Sequence, residues 1–135
     1  MPSTKGVRHD HRPIVSTLDT ARLEPLLSGS WIDPPILRLR ALLERAQKVA
    51  PARVPPDVVT MNSRVRIRYP VDEESESLDL AFPDATGLSV LSPLGAALLG
   101  AREGESVQCA GGRVSRCVTV ERIEYQPERE RHFDR

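Results

Sequence analysis

The side chains that could carry catalysis are few in this sequence. The three histidines, His9, His11 and His132, all fall in polar segments near the ends of the chain. A Ser–His–Asp or Cys–His mechanism needs a histidine that the fold holds beside its nucleophile. His9 and His11 could bind a metal ion, but two histidines in a polar tail are more often incidental. The sequence therefore predicts no catalytic residue, no metal site and no cofactor.

The two cysteines, Cys109 and Cys117, lie in strand-like sequence on either side of Gly111-Gly112. If these glycines form the centre of a two-residue turn, Cys109 faces Val114 and not Cys117. A longer loop would bring the cysteines opposite each other, so a disulfide is disfavoured but stays open. Two cysteines without nearby histidines do not make a zinc site.

Two charged stretches could bind a ligand. Arg64, Arg66 and Arg68 alternate with apolar residues, so they share one face of a strand and could contact phosphates or an acidic partner. A solvent-exposed face balanced by nearby acids, Glu76 and Asp79, is the favoured interpretation. The acidic run 72–76 could bind a cation weakly, but a solvated hairpin loop explains it better.

The overall charge limits the class of partner. The net charge is zero, yet residues 1–56 carry nine Lys/Arg against five Asp/Glu, and residues 57–135 carry ten against fourteen. A general nucleic-acid binder would show a basic excess. No stretch resembles a membrane span or a signal peptide, which predicts a cytoplasmic protein with reduced cysteines. We expect a monomer.

The N-terminal elements are predicted to be two short helices. Ser16 or Thr17 can cap a helix that runs through Ser28, and Pro25 in its interior should kink or shorten it. Asp33 can cap a second helix from Pro34 to about Val49. At 1.5 Å per residue this helix is about 24 Å long, so the two helices should form a stubby antiparallel hairpin.

After a proline-rich segment the apolar period changes from 3.6 to 2. Strand-like sequence begins at Val58, with a turn or bulge at Asn62-Ser63, and continues through Arg64–Tyr69 and residues 78–82. The pattern predicts an α+β fold, with an antiparallel sheet and one short helix. The predicted divisions are a disordered tail (1–13), a helical hairpin (14–50), a linker (51–57), a sheet domain (58–126) and a polar tail (127–135).

The stretch 88–107, LSVLSPLGAALLGAREGESV, holds a complete strand–helix–strand unit. Leu88 and Val90 indicate a strand, Ser92 can cap the helix, and Pro93 suits its first position. Gly100 can end the helix in a left-handed conformation. A last hairpin follows, in which a bulge near Glu121-Arg122 would reconcile the phases of Val118/Val120 and Ile123/Tyr125.

Three segments together resemble the Rnk family, a branch of the Gre-type transcription elongation factors. They are VVTMNSRVRIRY at 58–69, the stretch 88–107, and IEYQP at 123–127. The resemblance covers roughly residues 14–127. It implies an N-terminal antiparallel coiled coil followed by a C-terminal domain of the FKBP-like fold. It also implies a partner, bacterial RNA polymerase, approached at its secondary channel.

The resemblance implies a contact through Leu91, Ser92, Pro93 and Gly95. Gre factors grip the channel rim through an Asp-Ser-Pro step before the short helix, and Ser92-Pro93 match it whereas Leu91 does not. Their long coiled coil carries two acidic residues at its tip, which help to hold a catalytic Mg²⁺. Here the short tip, with Trp31 as a candidate contact, offers one acid, Asp33, which a helix cap explains.

The resemblance and the short hairpin together imply a non-enzymatic regulator that binds RNA polymerase, and through it indirectly the DNA-bound elongation complex, and that competes with Gre factors. One alternative is a transcript-cleavage factor that acts through the hairpin tip. The other is an FKBP-like prolyl isomerase, although the sheet domain offers only Tyr69, Phe82 and Tyr125 as aromatic lining.

Overall fold

The computed structural model describes residues 12–28, 33–70, 73–111 and 114–132. Within these ranges the helices are α1 (Thr17–Leu23), α2 (Pro34–Arg45) and α3 (Pro93–Leu98). The strands are β1 (Ile14–Ser16), β2 (Gln47–Val49), β3 (Arg64–Tyr69), β4 (Glu74–Ala81), β5 (Leu88–Ser89), β6 (Ser106–Gly111) and β7 (Val114–Tyr125). No described helix has the length and apolar character needed to cross a lipid bilayer.

The N-terminal helices are shorter than the sequence predicts. Ser16 caps α1 as expected, but α1 ends at Leu23 and the chain continues as a 3₁₀ turn, Glu24–Ser28, that accommodates Pro25. The second helix stops at Arg45 rather than near Val49, because β2 pairs in parallel with β1. Helix α2 is therefore 12 residues, or about 18 Å, long.

Five described strands form the main sheet in the order β5-β4-β3-β7-β6. The predicted antiparallel pairing of β3 with β4 is confirmed, with Arg64 opposite Asp79. The register between β3 and β7 shifts twice and passes over Glu121 and Glu124, which confirms the bulge near Glu121. Asn62, with φ of 66°, forms the predicted turn before β3.

Several local expectations were wrong. Glu74 and Glu76 belong to β4 and not to a loop, and Glu76 lies opposite Ile67, on the face away from the arginines. Val58 makes an isolated bridge to Arg102 and starts no strand. In the last hairpin Gly111 pairs with Val114, so Cys109 does not face Val114.

The hydrophobic core draws on both halves of the chain. Val15, Leu23, Leu39 and Leu43 belong to the same buried cluster as Val65, Ile67 and Val120 of the sheet. The helical segment and the sheet therefore share one hydrophobic core. The α+β class is confirmed, whereas the coiled coil, the FKBP-like type of sheet domain and the domain boundaries stay predictions.

The end of β7 leads into residues 126–128, which are buried, whereas residues 129–132 are exposed. Gln126 is 0% exposed, and its Nε2 donates to the carbonyl oxygens of Pro55 at 2.9 Å and Val58 at 2.7 Å. Glu128 is also buried, and His132 Nδ1 lies 2.8 Å from the hydroxyl of Tyr125. The bonds of Gln126 connect the C-terminal segment to the residues between the helical segment and the sheet.

Candidate functional site

The predicted partner-binding residues lie where β5 turns into α3. The Ser92 hydroxyl accepts a hydrogen bond from the backbone N–H of Gly95 at 3.0 Å and donates one to the carbonyl oxygen of Ser89 at 2.7 Å. Ser92 is thus the N-cap of α3, with Pro93 at the first helical position, as predicted. Gly100, with φ of +85°, follows the helix end in a left-handed conformation.

Gly95 is required by a close backbone approach. A Cβ placed there would lie 2.0 Å from the carbonyl oxygen of Ser89. Only glycine lets α3 pack this closely on the end of β5. Leu91, Ser92 and Pro93 are half-buried, so each presents part of its surface to solvent while the backbone beneath them is fixed.

Arg38 of α2 binds the same turn and was missed by the sequence reasoning. Its Nη2 donates to the carbonyl oxygen of Leu91 at 2.9 Å, and its buried Nε has no hydrogen-bond partner in the described structure. No local pattern in the sequence signals this contact, whose partners are 53 residues apart. This bond connects the helical segment to the Leu91–Pro93 turn.

The predicted tip residues do not form a described site. Asp33 occupies the N-cap position of α2, but its side chain makes no capping hydrogen bond, and the residue is exposed. Trp31 lies outside the described residues. Among the described residues, no three His, Cys, Asp or Glu side chains are grouped so that they could hold a metal ion.

A buried polar cluster joins the turn before β3 to α1 and to the C-terminal segment. The Thr60 hydroxyl donates to Glu128 Oε1 at 2.7 Å and lies 2.9 Å from the Ser63 hydroxyl. Asp19 Oδ2 accepts from the backbone N–H of Met61 at 3.1 Å. The VTMNSRV motif therefore forms a turn that binds α1 and the C-terminal segment at once.

Burial has a strong effect on Asp19. Desolvation, reinforced by the nearby carboxylate of Glu128, raises the pKa of Asp19 from 3.8 to about 7. The hydrogen bond from Met61 and the positive charge of Arg22, 3.7 Å away, oppose this rise without cancelling it. Asp19 is the titratable group of this cluster that changes charge near neutral pH.

Each arginine of β3 lies beside a carboxylate of a neighbouring strand. Arg64 Nε and Nη2 each lie 3.0 Å from a carboxylate oxygen of Asp79. Arg66 and Arg68 share Glu121 at 3.2 and 3.7 Å. This face is a solvent-exposed ladder of mixed charge, as favoured from the sequence, in which each of the three arginines lies beside a carboxylate.

The cysteines do not pair as a disulfide in this register. Cys109 lies opposite Arg116, whereas Cys117 lies opposite Gln108. Cys117 is a free, exposed thiol.

The comparisons with known proteins agree with this architecture. Residues 54–125 match the family model for the C-terminal part of the transcription elongation factors GreA/GreB. The regulator of nucleoside diphosphate kinase of Escherichia coli (strain K12) is 43% identical over 124 residues, covering 85% of this chain and 90% of that protein. The GreA of Thermodesulfovibrio yellowstonii is 32% identical over 83 residues, covering 58% of this chain and 52% of that protein.

A solved structure supports the same class. The prokaryotic transcription elongation factor GreA/GreB from Nitrosomonas europaea superposes with a TM-score of 0.68 and 36% identity, covering 85% of this chain and 99% of that one. The fold and the family match thus define a GreA/GreB-like protein. The chain belongs to the Rnk family, which is related to the Gre-type transcription factors.

Proposed function

We propose that this protein binds bacterial RNA polymerase near its secondary channel through the Leu91–Gly95 turn, and that it modulates elongation in competition with Gre factors. It acts as a regulator without catalysis of its own. Relatives named as a regulator and as elongation factors support the general role. The Rnk resemblance supplies the partner and the residues of contact. A cytoplasmic location and a monomeric state follow as part of the same proposal.

The observation that carries this proposal is the fixed geometry of the turn. Ser92 caps α3, Gly95 permits its close approach to β5, and Arg38 holds the carbonyl of Leu91. A turn held from both sides loses little conformational freedom when a partner docks on it. Its half-exposed side chains are available for contact while the backbone stays in place.

The size of the helical segment favours regulation over transcript cleavage. Helix α2 is about 18 Å long, and its Leu39 and Leu43 lie in the core that it shares with the sheet, so it does not project as a long arm. A cleavage factor must bring carboxylates to the active-site metal of the polymerase. The one acid at the predicted tip, Asp33, lies at the start of this short helix. We include the coiled-coil description of this segment and the FKBP-like description of the sheet domain in the proposal.

The binding test is a pull-down of purified core RNA polymerase. It compares the wild type with Ser92→Glu/Pro93→Ala, and the exposed substitution Ala52→Glu serves as the control for added charge. We expect the double variant to recover about one tenth as much polymerase or less, and the control to match the wild type. Because Ser92 is also a helix cap, circular dichroism and thermal unfolding must show that the double variant is folded. Equal recovery by a folded double variant would contradict the proposed contact.

The activity test uses a stalled, backtracked elongation complex. We expect the wild-type protein to leave the nascent RNA uncut, and to slow the cleavage that an added GreA stimulates. Shortened transcripts in the absence of GreA would instead establish the cleavage factor. Turnover of a proline-containing model peptide would establish a prolyl isomerase.

A further inference from the structure

A cavity of about 220 Å³ lies between residues 12–13, the end of α2 and the segment from α3 to β6. Its charged lining is uneven. The described lining residues include three arginines, Arg12, Arg45 and Arg102, and one carboxylate, that of Glu105. The lining therefore carries an excess of two positive charges in a protein whose net charge is zero.

The arginines that line the cavity make no ion pair among the described residues. Within the described part of the chain, no salt bridge engages the guanidinium of Arg45 or Arg102. Glu105 Oε1 accepts a hydrogen bond from the backbone N–H of Arg102 at 2.9 Å, which occupies that oxygen within its own turn. This differs from the β3 arginines, each of which lies against a carboxylate.

The cavity has a fixed frame. Arg12 Nε donates to the backbone carbonyl oxygen of Arg45 at 3.2 Å, which holds the Arg12 side chain at the end of α2. The backbone of Ile14 donates to the carbonyl of Gly100 at 3.3 Å, and the buried side chains of Leu42 and Leu99 form part of the wall.

The volume limits the ligand. The cavity is smaller than the 300 Å³ or more of a typical pocket for a drug-sized molecule, so it suits a small ligand or one group of a larger one. Three guanidinium groups can present several donors to phosphate oxygens at once. We propose that this cavity binds a diphosphate group, free or carried on a small molecule that extends into solvent.

The test is isothermal titration calorimetry of the full chain with inorganic pyrophosphate at constant ionic strength. We expect saturable binding of one equivalent, and about tenfold weaker binding for Arg45→Gln and for Arg102→Gln. Arg53→Gln removes an exposed arginine outside the cavity and should bind as the wild type does. Amide chemical-shift changes at residues 99–107 should accompany binding and report that the variants remain folded.

Further titrations define the ligand. If adenosine diphosphate binds as tightly as pyrophosphate or more tightly, the cavity accepts a diphosphate group carried on a nucleoside. If pyrophosphate binds more tightly, the cavity takes the free diphosphate. Orthophosphate or sulfate binding as tightly as pyrophosphate would contradict the diphosphate assignment. So would the absence of saturation, or an equal loss of affinity in Arg53→Gln. The result does not depend on whether the protein binds RNA polymerase.

Discussion

The Oδ2 atom of Asp19 accepts a hydrogen bond at 3.1 Å from the backbone N–H of Met61, 42 residues further along the chain. This bond joins the first turn of α1 to the turn that precedes β3. The same buried turn binds Glu128 through the hydroxyl of Thr60. Three distant segments thus meet at one polar cluster, and the ionisation of Asp19 affects all of them.

The first prediction concerns pH. The pKa of Asp19 is near 7 in the folded protein and near 4 when unfolded, so the folded state binds the extra proton between these values. The stabilising contribution is complete below about pH 4 and is lost as the pH rises through 7. The loss is on the order of 3 to 4 kcal/mol in the free energy of unfolding.

Asp19→Asn tests this, because the amide oxygen can still accept from Met61 while the group no longer titrates. We expect the variant to equal the wild type near pH 4 and to be more stable at pH 8, as measured by urea unfolding across the range. Asp84→Asn, at an exposed aspartate, should leave the profile unchanged. Parallel profiles for Asp19→Asn and the wild type would contradict the assignment.

The second prediction concerns Gln126. Its Nε2 is the donor to two backbone carbonyls, so Gln126→Ala leaves both without that partner in a buried environment. We expect a loss of about 2 to 4 kcal/mol in the free energy of unfolding. Gln47→Ala, at an exposed glutamine, is the matched control and should change stability little. A similar, small effect for both substitutions would contradict the structural role of Gln126.

The third prediction compares two glycines. In Gly95→Ala the new methyl meets the carbonyl oxygen of Ser89, whereas a methyl at Gly104 meets no atom within 4 Å and carries only the strain of a φ of +87°. Gly104→Ala should cost about 1 to 2 kcal/mol, and Gly95→Ala clearly more. Thermal unfolding ranks the two variants. If Gly104→Ala lowers the unfolding temperature more than Gly95→Ala does, the close approach of α3 to Ser89 does not require glycine at position 95.

The fourth prediction concerns the outer face of the sheet. The paired guanidinium of Arg64 lowers the pKa of the Asp79 carboxyl. Arg64→Gln should raise that pKa toward its ordinary value, as followed by carbon-detected NMR titration of the carboxyl group. The fold should hardly change, since both side chains are largely exposed. Arg53→Gln is the control and should leave the titration of Asp79 unchanged. An unchanged pKa of Asp79 in Arg64→Gln would contradict the ion pair between Arg64 and Asp79.

Local patterns predicted the elements whose causes are local. The alternation at 64–69 identified β3, Ser92 and Gly100 marked the two ends of α3, and the change of phase after Val120 located the bulge. Each of these depends on residues within a few positions of one another, so the sequence carries the whole signal. The Ser92-Pro93 turn was found for the same reason.

Tertiary contacts decided what local patterns could not. The stretch after α2 could have continued the helix, but pairing with β1 makes Gln47–Val49 a strand. Polar residues at 126–128 look solvent-exposed in sequence, yet their partners at Pro55, Val58 and Thr60 bury them. Arg38 likewise gains its role from a carbonyl far along the chain.

The sequence by itself therefore determined the α+β class, the phase of the strands, the caps of α3 and the family resemblance. Only the tertiary structure showed that the helical segment and the sheet share a core, that Asp19 is buried beside Glu128, and that three arginines surround one cavity. The physical reason is range: caps and periodicity act within one or two turns, whereas burial and electrostatic environment are set by segments that meet only after folding.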